Sequence, residues 1–555
     1  MAIKTQKIVA DFETTTNKED VRVWAVCAVD IESSETVFID NNIESFINWL
    51  SNKNTVCYFH NLKFDGEFIL YYLLSNGFKY SDSHEPRTFE TLITDDGVFY
   101  SITVYFAKEK KKYKKVVFYD SLKKLPFKVS VISKAFELED SKLEIDYEAP
   151  RPIGHVLTDE EKRYIVNDCR IVAQALKIQM SQGLTKMTNA SDAMNGFKNI
   201  ISKKQFERLF PVLPVELDAD IRRAYKGGYV YLNPEHRGKR GLQGITLDVN
   251  SLYPSVMYYS LLPFGYPIYF EGVPESNEKH PLFIVRLACE FELKKGYLPT
   301  IQLKNNRAFV ETEYLSSSNG EIVELTLTNV DLALFLEHYN TFNLEYICGW
   351  RFKGATGLFK PYIDHWMHIK ETTTGALRQL AKLMLNSLYG KFATNPKARK
   401  KIPFIDENGV VKYRLDDPEL REPVYTAMGA FITAYAREKT IRSAQSVYDR
   451  FIYADTDSLH LIGQNPPANL EIHPTHLGAW KNEGVFIDSK FLRAKTYMET
   501  TTDGETKVTC AGMPDNVKEN VTYDNFTAGA TFTGKLMPRR YKGGIVLEKT
   551  TFTIK

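Results

Sequence analysis

The sequence lacks the features of a secreted, zinc-stabilised or membrane protein. It has only six cysteines in 555 residues, and none of them forms a CxxC pair. That scatter argues against a structural zinc site or a disulfide framework and favours a reducing cytosol. No run approaches the roughly 18 apolar residues of a membrane span. The N-terminus, MAIKTQKIVADFE, has no long apolar segment of a secretory signal. We therefore expect no membrane partner.

The sequence also lacks a clear excess of either basic or acidic side chains. The 71 basic and 69 acidic side chains leave a net charge of +2, so global charge does not indicate a nucleic-acid partner. The one strongly basic block, Lys108–Lys115, is either a solvated hairpin tip or a contact with a DNA backbone. Aromatic residues are abundant, with 32 Tyr and 34 Phe. They leave rings for stacking on bases beside those that fill the core.

Length and hydrophobic patterning predict several domains, roughly three to five. The first third reads as α/β: strand-like runs and helical patterns alternate, and Thr158 with Glu161 forms a capping box that starts a helix. The strands are Lys7–Phe12, Val23–Val29, Val56–Phe59 and Val116–Tyr119, and the helices are Ile43–Leu50, Gly66–Leu74 and Thr158–Gln179.

The rest of the chain reads as a second α/β region. It predicts a strand at Gly244–Val249, a strand-rich segment Pro281–Tyr346, one long helix Tyr362–Phe392, a hairpin Ile402–Arg414, a helix Thr426–Tyr448 and a hairpin Phe451–Ile462. From about Phe491 onward we expect short strands and turns.

The first group of acids with catalytic potential lies in the N-terminal third. Asp11 and Glu13 follow an apolar run and share one face of a strand. Asp65 follows the strand Val56–Phe59, and Asp168 lies on the capped helix one turn after Tyr164. Carboxylates gathered in this way suit two Mg²⁺ or Mn²⁺ ions for hydrolysis, with Tyr164 orienting water. The alternative is a salt-bridged surface, for which these motifs largely lack basic partners.

A second group of acids joins distant parts of the chain. Asp248 ends a strand, and Asp455 and Asp457 lie at the tip of the predicted hairpin FIYADTDSLHLI. Such a tip could be ordinary turn chemistry. The apolar strands on both sides favour a buried site, where unpaired acids require a metal. Two Mg²⁺ ions there would serve the attack of a 3′-hydroxyl on a nucleotide α-phosphate.

Between these two segments, one helix carries a polar stripe. Arg378, Lys382, Asn386 and Tyr389 are spaced four, four and three residues apart and so share a face. Basic groups suit a triphosphate, and a flat ring can pack on a base or sugar. A plain solvated helix face is the alternative.

Together the motifs resemble those of the family B DNA polymerases. DVNSLYP, KLMLNSLYG, YADTDS and Lys495-Thr496-Tyr497 resemble that family's polymerase motifs, and DFE, HNLKFDG and YIVND resemble its exonuclease motifs. Tyr225-Lys226-Gly227-Gly228, SLKKLPF, TGLFK and the C-terminal TFTIK make the chain most similar to the protein-primed polymerases of the φ29-like phages. The resemblance covers nearly the whole chain.

The resemblance implies roles for single residues. Asp11, Glu13, Asp65 and Asp168 would hold the exonuclease metals with help from Tyr164, and Asp248, Val249 and Asp457 would hold the polymerase metals beside Asp455. Val249, Tyr253, Lys370, Lys382, Asn386 and Tyr389 would bind the nucleotide. DNA would be contacted by Thr14, His60, Asn61, Phe64, Ser121, Leu122, Tyr225, Lys226, Gly227, Gly228, Thr433, Arg437, Lys495 and Tyr497. Lys226 stands where the relatives usually have Arg, so bidentate phosphate contact at that position is in doubt.

The resemblance also implies a fold: a multi-domain α/β chain with an RNase H-like 3′→5′ exonuclease domain and a right-hand polymerase. The expected divisions are an exonuclease domain at 1–187, palm at 188–260 and 427–529, a first terminal-protein-region insertion at 261–357, fingers at 358–393, a second insertion at 394–426 and thumb at 530–555.

The implied function is protein-primed, template-directed DNA synthesis with proofreading and processive strand displacement, using two Mg²⁺ or Mn²⁺ ions per site. The implied partners are template and primer DNA, dNTPs, a terminal protein and a single-stranded-DNA-binding protein, in the cytoplasm of a bacterial host. Three alternatives remain: an exonuclease with an inactive polymerase half, a non-enzymatic nucleic-acid-binding protein, and a polymerase that uses only ordinary RNA or DNA primers.

Overall fold

The computed structural model describes residues 5–109, 112–275, 277–302 and 312–555. Its N-terminal part is built around one mixed sheet, and the predicted alternation of strands and helices is confirmed. The elements are β1 Gln6–Thr14, β2 Val23–Asp30, β3 Thr36–Asp40, α1 Ile43–Ser51, β4 Thr55–Phe59, α2 Leu62–Ser75, β5 Lys79–Tyr80, β6 Thr88–Ile93, β7 Phe99–Glu109, β8 Lys112–Asp120, α3 Val129–Ala135 and α4 Asp159–Ser181. The strand order is β3-β2-β1-β4-β8-β7-β6-β5.

The remaining elements follow in chain order. They are α5 Asn189–Ile201, α6 Lys203–Leu209, α7 Val215–Arg222, β9 Val230–Leu232, β10 Gly244–Val249, α8 Leu252–Tyr259, β11 Leu262–Glu271, β12 Leu282–Leu293, β13 Ile301–Gln302, β14 Tyr314–Leu315, β15 Val323–Thr328, α9 Asn329–His338, β16 Tyr339–Ala355, α10 Lys360–Thr372, α11 Gly375–Ser387, α12 Tyr389–Phe392, β17 Lys397–Ala398, β18 Lys401–Ile405, β19 Val411–Leu415, β20 Glu419–Leu420, α13 Thr426–Ser446, β21 Phe451–Asp455, β22 Ser458–Ile462, β23 Trp480–Arg493, β24 Thr496–Thr501, β25 Thr506–Cys510, α14 Asp515–Lys518, β26 Thr531–Tyr541 and β27 Gly544–Thr553.

A second large sheet brings distant segments together. Its order is β25-β24-β23-β10-β22-β21-β9, so β10 lies between strands that come more than 200 residues later in the chain. A four-stranded sheet, β11-β16-β12-β15, forms the strand-rich insertion, and β18–β19 and β26–β27 are separate hairpins. The predicted multi-domain α/β class is confirmed, whereas the predicted domain boundaries stay predictions.

Local sequence signals explain where α4 begins. The Thr158 hydroxyl accepts from the Glu161 N–H at 3.2 Å, and the Glu161 carboxylate accepts from the Thr158 N–H at 3.0 Å. This capping box satisfies two amide donors that a helix start leaves without partners. The predicted start of the helix is confirmed, and with it the direction in which Tyr164 and Asp168 project.

Two secondary-structure predictions are wrong. The single helix over 362–392 is broken into α10, α11 and α12 because Thr374 is extended and Gly375 has φ +52°, while the Thr373 hydroxyl donates to the Ile369 carbonyl and competes with the helical backbone. The C-terminal part is not made of short strands only, since β26 and β27 form a hairpin of 11 and 10 residues.

In the described ranges no helix is long and apolar enough to cross a membrane. Strands β7 and β8 carry the basic run 108–115 in a hairpin, and the tip of that run lies outside the described residues. Contact between this run and DNA therefore stays a prediction.

Candidate active sites

The hairpin β21–β22 presents the acids of the second sheet at a tight turn. Thr456 at its tip has φ +61°, and its N–H donates to the Tyr229 carbonyl at 2.7 Å. The Asp457 N–H donates to the Asp455 carbonyl at 2.7 Å. Hydrogen bonds thus hold the turn from both sides. Asp455 and Asp457 therefore keep fixed positions relative to β9, the strand that follows the linker Tyr225-Lys226-Gly227-Gly228.

Pairing between β10 and β22 brings Asp248 to the same edge. Asp248 lies opposite Ser458, and the Val249 N–H donates to the Asp457 carbonyl at 2.7 Å. Burial and the charge of Asp457 raise the pKa of Asp248 to about 7, while Lys481 opposes this shift. Asp248 and Asp457 are therefore half-buried neighbours whose negative charges repel each other.

The third acid of this group has a different environment. Lys495 Nζ lies 2.6 and 2.8 Å from the two carboxylate oxygens of Asp455, and the Tyr453 hydroxyl donates to that carboxylate at 3.2 Å. Asp455 is thus neutralised by a cation of the chain, whereas burial and the charge of Asp455 raise the pKa of Asp457. This difference in environment between Asp455 and the pair Asp248 and Asp457 agrees with the predicted assisting role of Asp455.

Aromatic and basic side chains border this acid pair. The rings of Tyr253 and Tyr389 stack with centroids 4.0 Å apart at 17°, which joins α8 to α12. Lys370 Nζ donates to the Ser251 hydroxyl at 2.9 Å, and burial together with Lys382 lowers the pKa of Lys370. The predicted nucleotide-contacting residues of four different helices therefore converge here. The side chain of Asn386, which lies between Lys382 and Tyr389 on the polar stripe, is exposed.

The linker before β9 is in direct contact with the acid-bearing hairpin. A Cβ added at Gly228 would lie 2.7 Å from the Thr456 side chain, so no larger residue fits without movement. At Gly227 a Cβ would meet nothing within 4 Å. Tyr225 is half-buried, and burial together with the neighbouring Tyr389 raises its pKa. The YKGG segment thus borders both the hairpin and the tyrosine stack.

Thr433 and Arg437 require a correction, since both are 1% exposed. The Arg437 guanidinium donates to both Asp331 oxygens at 2.8 Å and to the carbonyls of Lys226 and Gly227 at 3.0 and 2.8 Å. The Thr433 hydroxyl bonds to its own helix. Their donors are occupied inside the protein, so Arg437 holds the linker in position instead of touching DNA. The Val249 side chain, 1% exposed, likewise offers no nucleotide contact.

The N-terminal acids come from three elements. Glu13 on β1, Asp65 on α2 and Asp168 on α4 are 7%, 3% and 6% exposed. Burial and the charge of Asp168 raise the pKa of Asp11 to about 7, and burial with the charge of Asp11 raises the pKa of both Glu13 and Asp65. The structure therefore gathers all four predicted acids in one electrostatically coupled group.

Sequence reasoning missed two residues of this group. Lys142 Nζ forms an ion pair of 2.5 Å with Asp168 and lies 3.4 Å from the Tyr164 hydroxyl, which in turn bonds to the Tyr147 hydroxyl at 2.5 Å. Both residues precede α4 in a stretch without regular structure, where no periodic pattern marks them. Asp168 thus has the basic partner that its own motif lacks.

The predicted strand-holding residues divide into two sets. Thr14 and Phe64 line an open cavity beside Glu13. His60 and the fully buried Ser121 instead bond to each other at 2.9 Å, and the second His60 nitrogen lies 2.7 Å from the Phe127 carbonyl. The side chain of Ser121 has no exposed surface for DNA, whereas His60 is half-buried and its contact with DNA stays a prediction. Both residues fix the loop that carries Asn61, which is exposed, and the half-buried Leu122 lies beside Ser121.

The acids fit divalent cations by their chemistry. Nowhere in the described ranges do three His, Cys, Asp or Glu side chains converge on one point as ligands of an ion. However, Oδ1 of Asp65 and Oδ1 of Asp168 are buried without a hydrogen-bond partner, and both acid groups consist of carboxylates that repel each other. Buried carboxylate oxygens of this kind are donors for hard cations such as Mg²⁺ and Mn²⁺.

Comparison with known proteins shows the family of the chain. The family model of DNA polymerase type B, organellar and viral, matches residues 48–155 and 144–472. The chain belongs to this polymerase family. It is 48% identical to the DNA polymerase of Bacillus phage phi29 over 98% of either chain, and 36% identical to that of Streptococcus phage Cp-1 over 98% of either chain.

Solved structures extend the similarity to the fold. The polymerase is similar, with a TM-score of 0.96, 47% identity and 100% of both chains covered, to Phi29 DNA polymerase complexed with primer-template DNA. It is equally similar, with a TM-score of 0.96, 48% identity and the same coverage, to that enzyme with primer-template DNA and incoming nucleotides. The predicted fold, an exonuclease domain with palm, fingers and thumb, is confirmed, and so is the predicted DNA polymerase class of enzyme.

Proposed function

We propose that this polymerase extends a primer at Asp248 and Asp457 and removes 3′-terminal nucleotides at Asp11, Glu13, Asp65 and Asp168. The observation that carries the proposal is the meeting of Asp248 and Asp457 at one sheet edge, beside Lys370, Lys382 and the Tyr253–Tyr389 stack. A second acid group on separate elements supports a second, hydrolytic centre. Each centre has its own carboxylates, so the two reactions would be separable by mutation.

Divalent cations would be held by these carboxylates, two per centre, with the Val249 carbonyl as a further ligand at the palm. When bound, they would activate the attacking oxygen and stabilise the leaving oxygen. Lys370 and Lys382 would meet the triphosphate of an incoming nucleotide. The Tyr253–Tyr389 stack would support its sugar and base, and Lys495 and Tyr497 would hold the primer end. At the other centre Tyr164 would orient water, and Lys142 would hold Asp168 in place.

Metal removal tests the cation requirement. We expect EDTA to stop both extension of a 5′-labelled primer on a longer template and degradation of a labelled single strand. Excess Mg²⁺ or Mn²⁺ should restore both, because the carboxylates alone repel each other and supply no counter-charge. The measurement is product length on a denaturing gel, with Ca²⁺ as a comparison ion. Either reaction continuing at full rate in EDTA would contradict the proposed role of that acid group.

The contact between the linker and the hairpin gives a second prediction. Gly228→Ala should slow extension on the order of tenfold, because the new methyl group would displace Thr456 and with it Asp457. Gly227→Ala is the matched control, since its methyl group would enter open space. The measurement is single-nucleotide insertion at saturating dNTP. Equal rates for the two variants would show that the linker does not position the hairpin.

We also propose that synthesis starts on a terminal protein whose side-chain hydroxyl serves as the first primer, in the cytoplasm of a bacterial host, with strand displacement and a single-stranded-DNA-binding protein as an accessory. The support is the similarity of the motifs to protein-primed polymerases and the insertions β11–β16 and β17–β20. The test is transfer of a labelled dNMP to the candidate primer protein on a duplex end without a nucleic-acid primer. Extension of RNA or DNA primers only, with no labelled protein, would favour the ordinary-primer alternative.

A further inference from the structure

An open cavity of about 740 Å³ lies directly beside Glu13, between the exonuclease domain and the C-terminal hairpin β26–β27. The exonuclease domain contributes one wall through Phe12, Thr14 and Phe64, and the hairpin contributes the other through Leu536, Val546 and Leu547. A strand that reaches the N-terminal acids from this side must lie between the two walls. The position of the hairpin therefore determines the width of that approach.

An ion pair between a buried glutamate and an exposed arginine joins the hairpin to α2 close to this cavity. Glu67 lies on α2, three residues after Phe64, and is 1% exposed. Arg540 near the end of β26 donates from Nε to Glu67 Oε1 at 2.7 Å. Arg540 pairs across the hairpin with Ile545, the neighbour of Val546 in the cavity wall. One charge pair thus ties the two walls together.

A third segment closes the same junction. The Arg540 guanidinium lies over the Tyr413 ring, 4.7 Å from its centroid, and Tyr413 belongs to the hairpin β18–β19. Val411 of that hairpin and Ile545 of β27 are both buried in the hydrophobic core of the exonuclease domain. The ion pair therefore stands where the exonuclease domain and both hairpins meet.

The tip of the C-terminal hairpin packs directly against the exonuclease domain. A Cβ added at Gly544 would lie 2.4 Å from the Phe68 ring, and one at Gly543 would lie 2.1 Å from the Val21 carbonyl. The tip can pack this closely only because it has no side chains there. It cannot slide along the domain while the ion pair is intact.

The buried Glu67 carboxylate depends mainly on Arg540 for its counter-charge. Oε2 of Glu67 is buried without a hydrogen-bond partner, and its Oε1 accepts from Nε of Arg540 at 2.7 Å. Loss of the arginine would leave a buried carboxylate without its main counter-charge, which is costly in a low-dielectric site. The carboxylate would then be more stable in contact with water, and the hairpin would move away from α2.

We propose that Glu67 and Arg540 are a positioning pair for the exonuclease reaction: they hold β26–β27 as the far wall of the cavity and so set how tightly a single strand binds in front of the N-terminal acids. The inference rests on the exonuclease activity proposed above. Neither residue lines the cavity, whereas Glu13 of the acid group does. Their effect is therefore on binding of the strand and not on the hydrolytic step.

The test is steady-state degradation of a single-stranded oligonucleotide with Mg²⁺ by wild type and Arg540→Met. We expect KM to rise about tenfold with kcat unchanged, because a strand loses one wall of its binding site while the acids stay in place. Arg539→Met is the matched control: Arg539 precedes Arg540, is 57% exposed, and among the described residues forms one long ion pair, of 3.9 Å with Glu548. Its KM should equal that of wild type.

Two further variants keep the inference falsifiable if Arg540→Met folds poorly. Arg540→Lys retains a cation and should bring KM back toward wild type, and Glu67→Gln should raise KM by less than Arg540→Met does. A fall in kcat at constant KM, or an unchanged KM in Arg540→Met, would overturn the positioning role. A wild-type enzyme that does not degrade the oligonucleotide would refute the proposed exonuclease itself.

Discussion

Asp457→Ala is expected to abolish DNA synthesis while leaving degradation of single strands intact. The residue faces Asp248 at the edge of the second sheet, and its main chain is fixed by the Val249 N–H, so no other acid can take its place. Asp457 would hold the cations that stabilise the charge of the transition state, and loss of one such electrostatic contribution costs about 10³-fold in rate. The measurement is single-nucleotide insertion on a primer with a 5′-overhang template.

A matched control for this variant lies just before the same hairpin. Asp449→Ala removes an exposed acid just before β21, far from the turn, and should keep the wild-type insertion rate. Substantial insertion by Asp457→Ala would mean that the carboxylates of this hairpin do not form the polymerase centre. Loss of degradation in the same variant would mean that the two centres are not independent.

Asp11→Ala is expected to give the reverse result: synthesis at the wild-type rate and degradation reduced by about 10³-fold. Asp11 interacts with the charges of both Asp168 and Asp65, so its removal breaks the centre of the N-terminal acid group. The measurement is release of labelled dNMP from the 3′ end of a single strand. A mismatched primer end should then persist, because it is no longer removed.

The control for this second variant is Asp159→Ala. Asp159 begins α4, the helix that carries Asp168, but its side chain is 99% exposed and lies more than two turns away. It should degrade DNA like wild type. If Asp159→Ala lost activity as severely as Asp11→Ala, general damage to the domain would explain both, and the assignment of Asp11 would fail.

Both acid groups could be predicted from sequence because each acid sits at a strand or helix with a strong local signal. Asp11 and Glu13 follow an apolar strand, Asp168 lies on a helix with a capping box, and Asp455 and Asp457 occupy a turn between two apolar strands. These signals fix the direction of a side chain. The resemblance to the motif series of the family then supplied the pairing between β10 and the distant hairpin, which periodicity alone could not give.

The remaining features depend on tertiary contacts that no local pattern records. Lys142 reaches Asp168 from an irregular segment, and Arg437 turns inward because Asp331 lies opposite it in the folded chain. A basic residue on a helix near the active centre looks the same in sequence whether it binds DNA or holds a linker. The Glu67–Arg540 pair joins residues at opposite ends of the chain, and neither belongs to a motif.

The central claim, that one chain carries a synthetic and a hydrolytic centre on separate acids, is tested most directly by nucleotide turnover. A primer-template is supplied with the single dNTP that its next template position requires, and release of the corresponding dNMP is followed with time. Wild type should convert dNTP to dNMP continuously, because each added nucleotide is removed and replaced. Asp11→Ala should add one nucleotide and release none, and Asp457→Ala should shorten the primer without consuming dNTP. Sustained conversion by either variant would contradict the account.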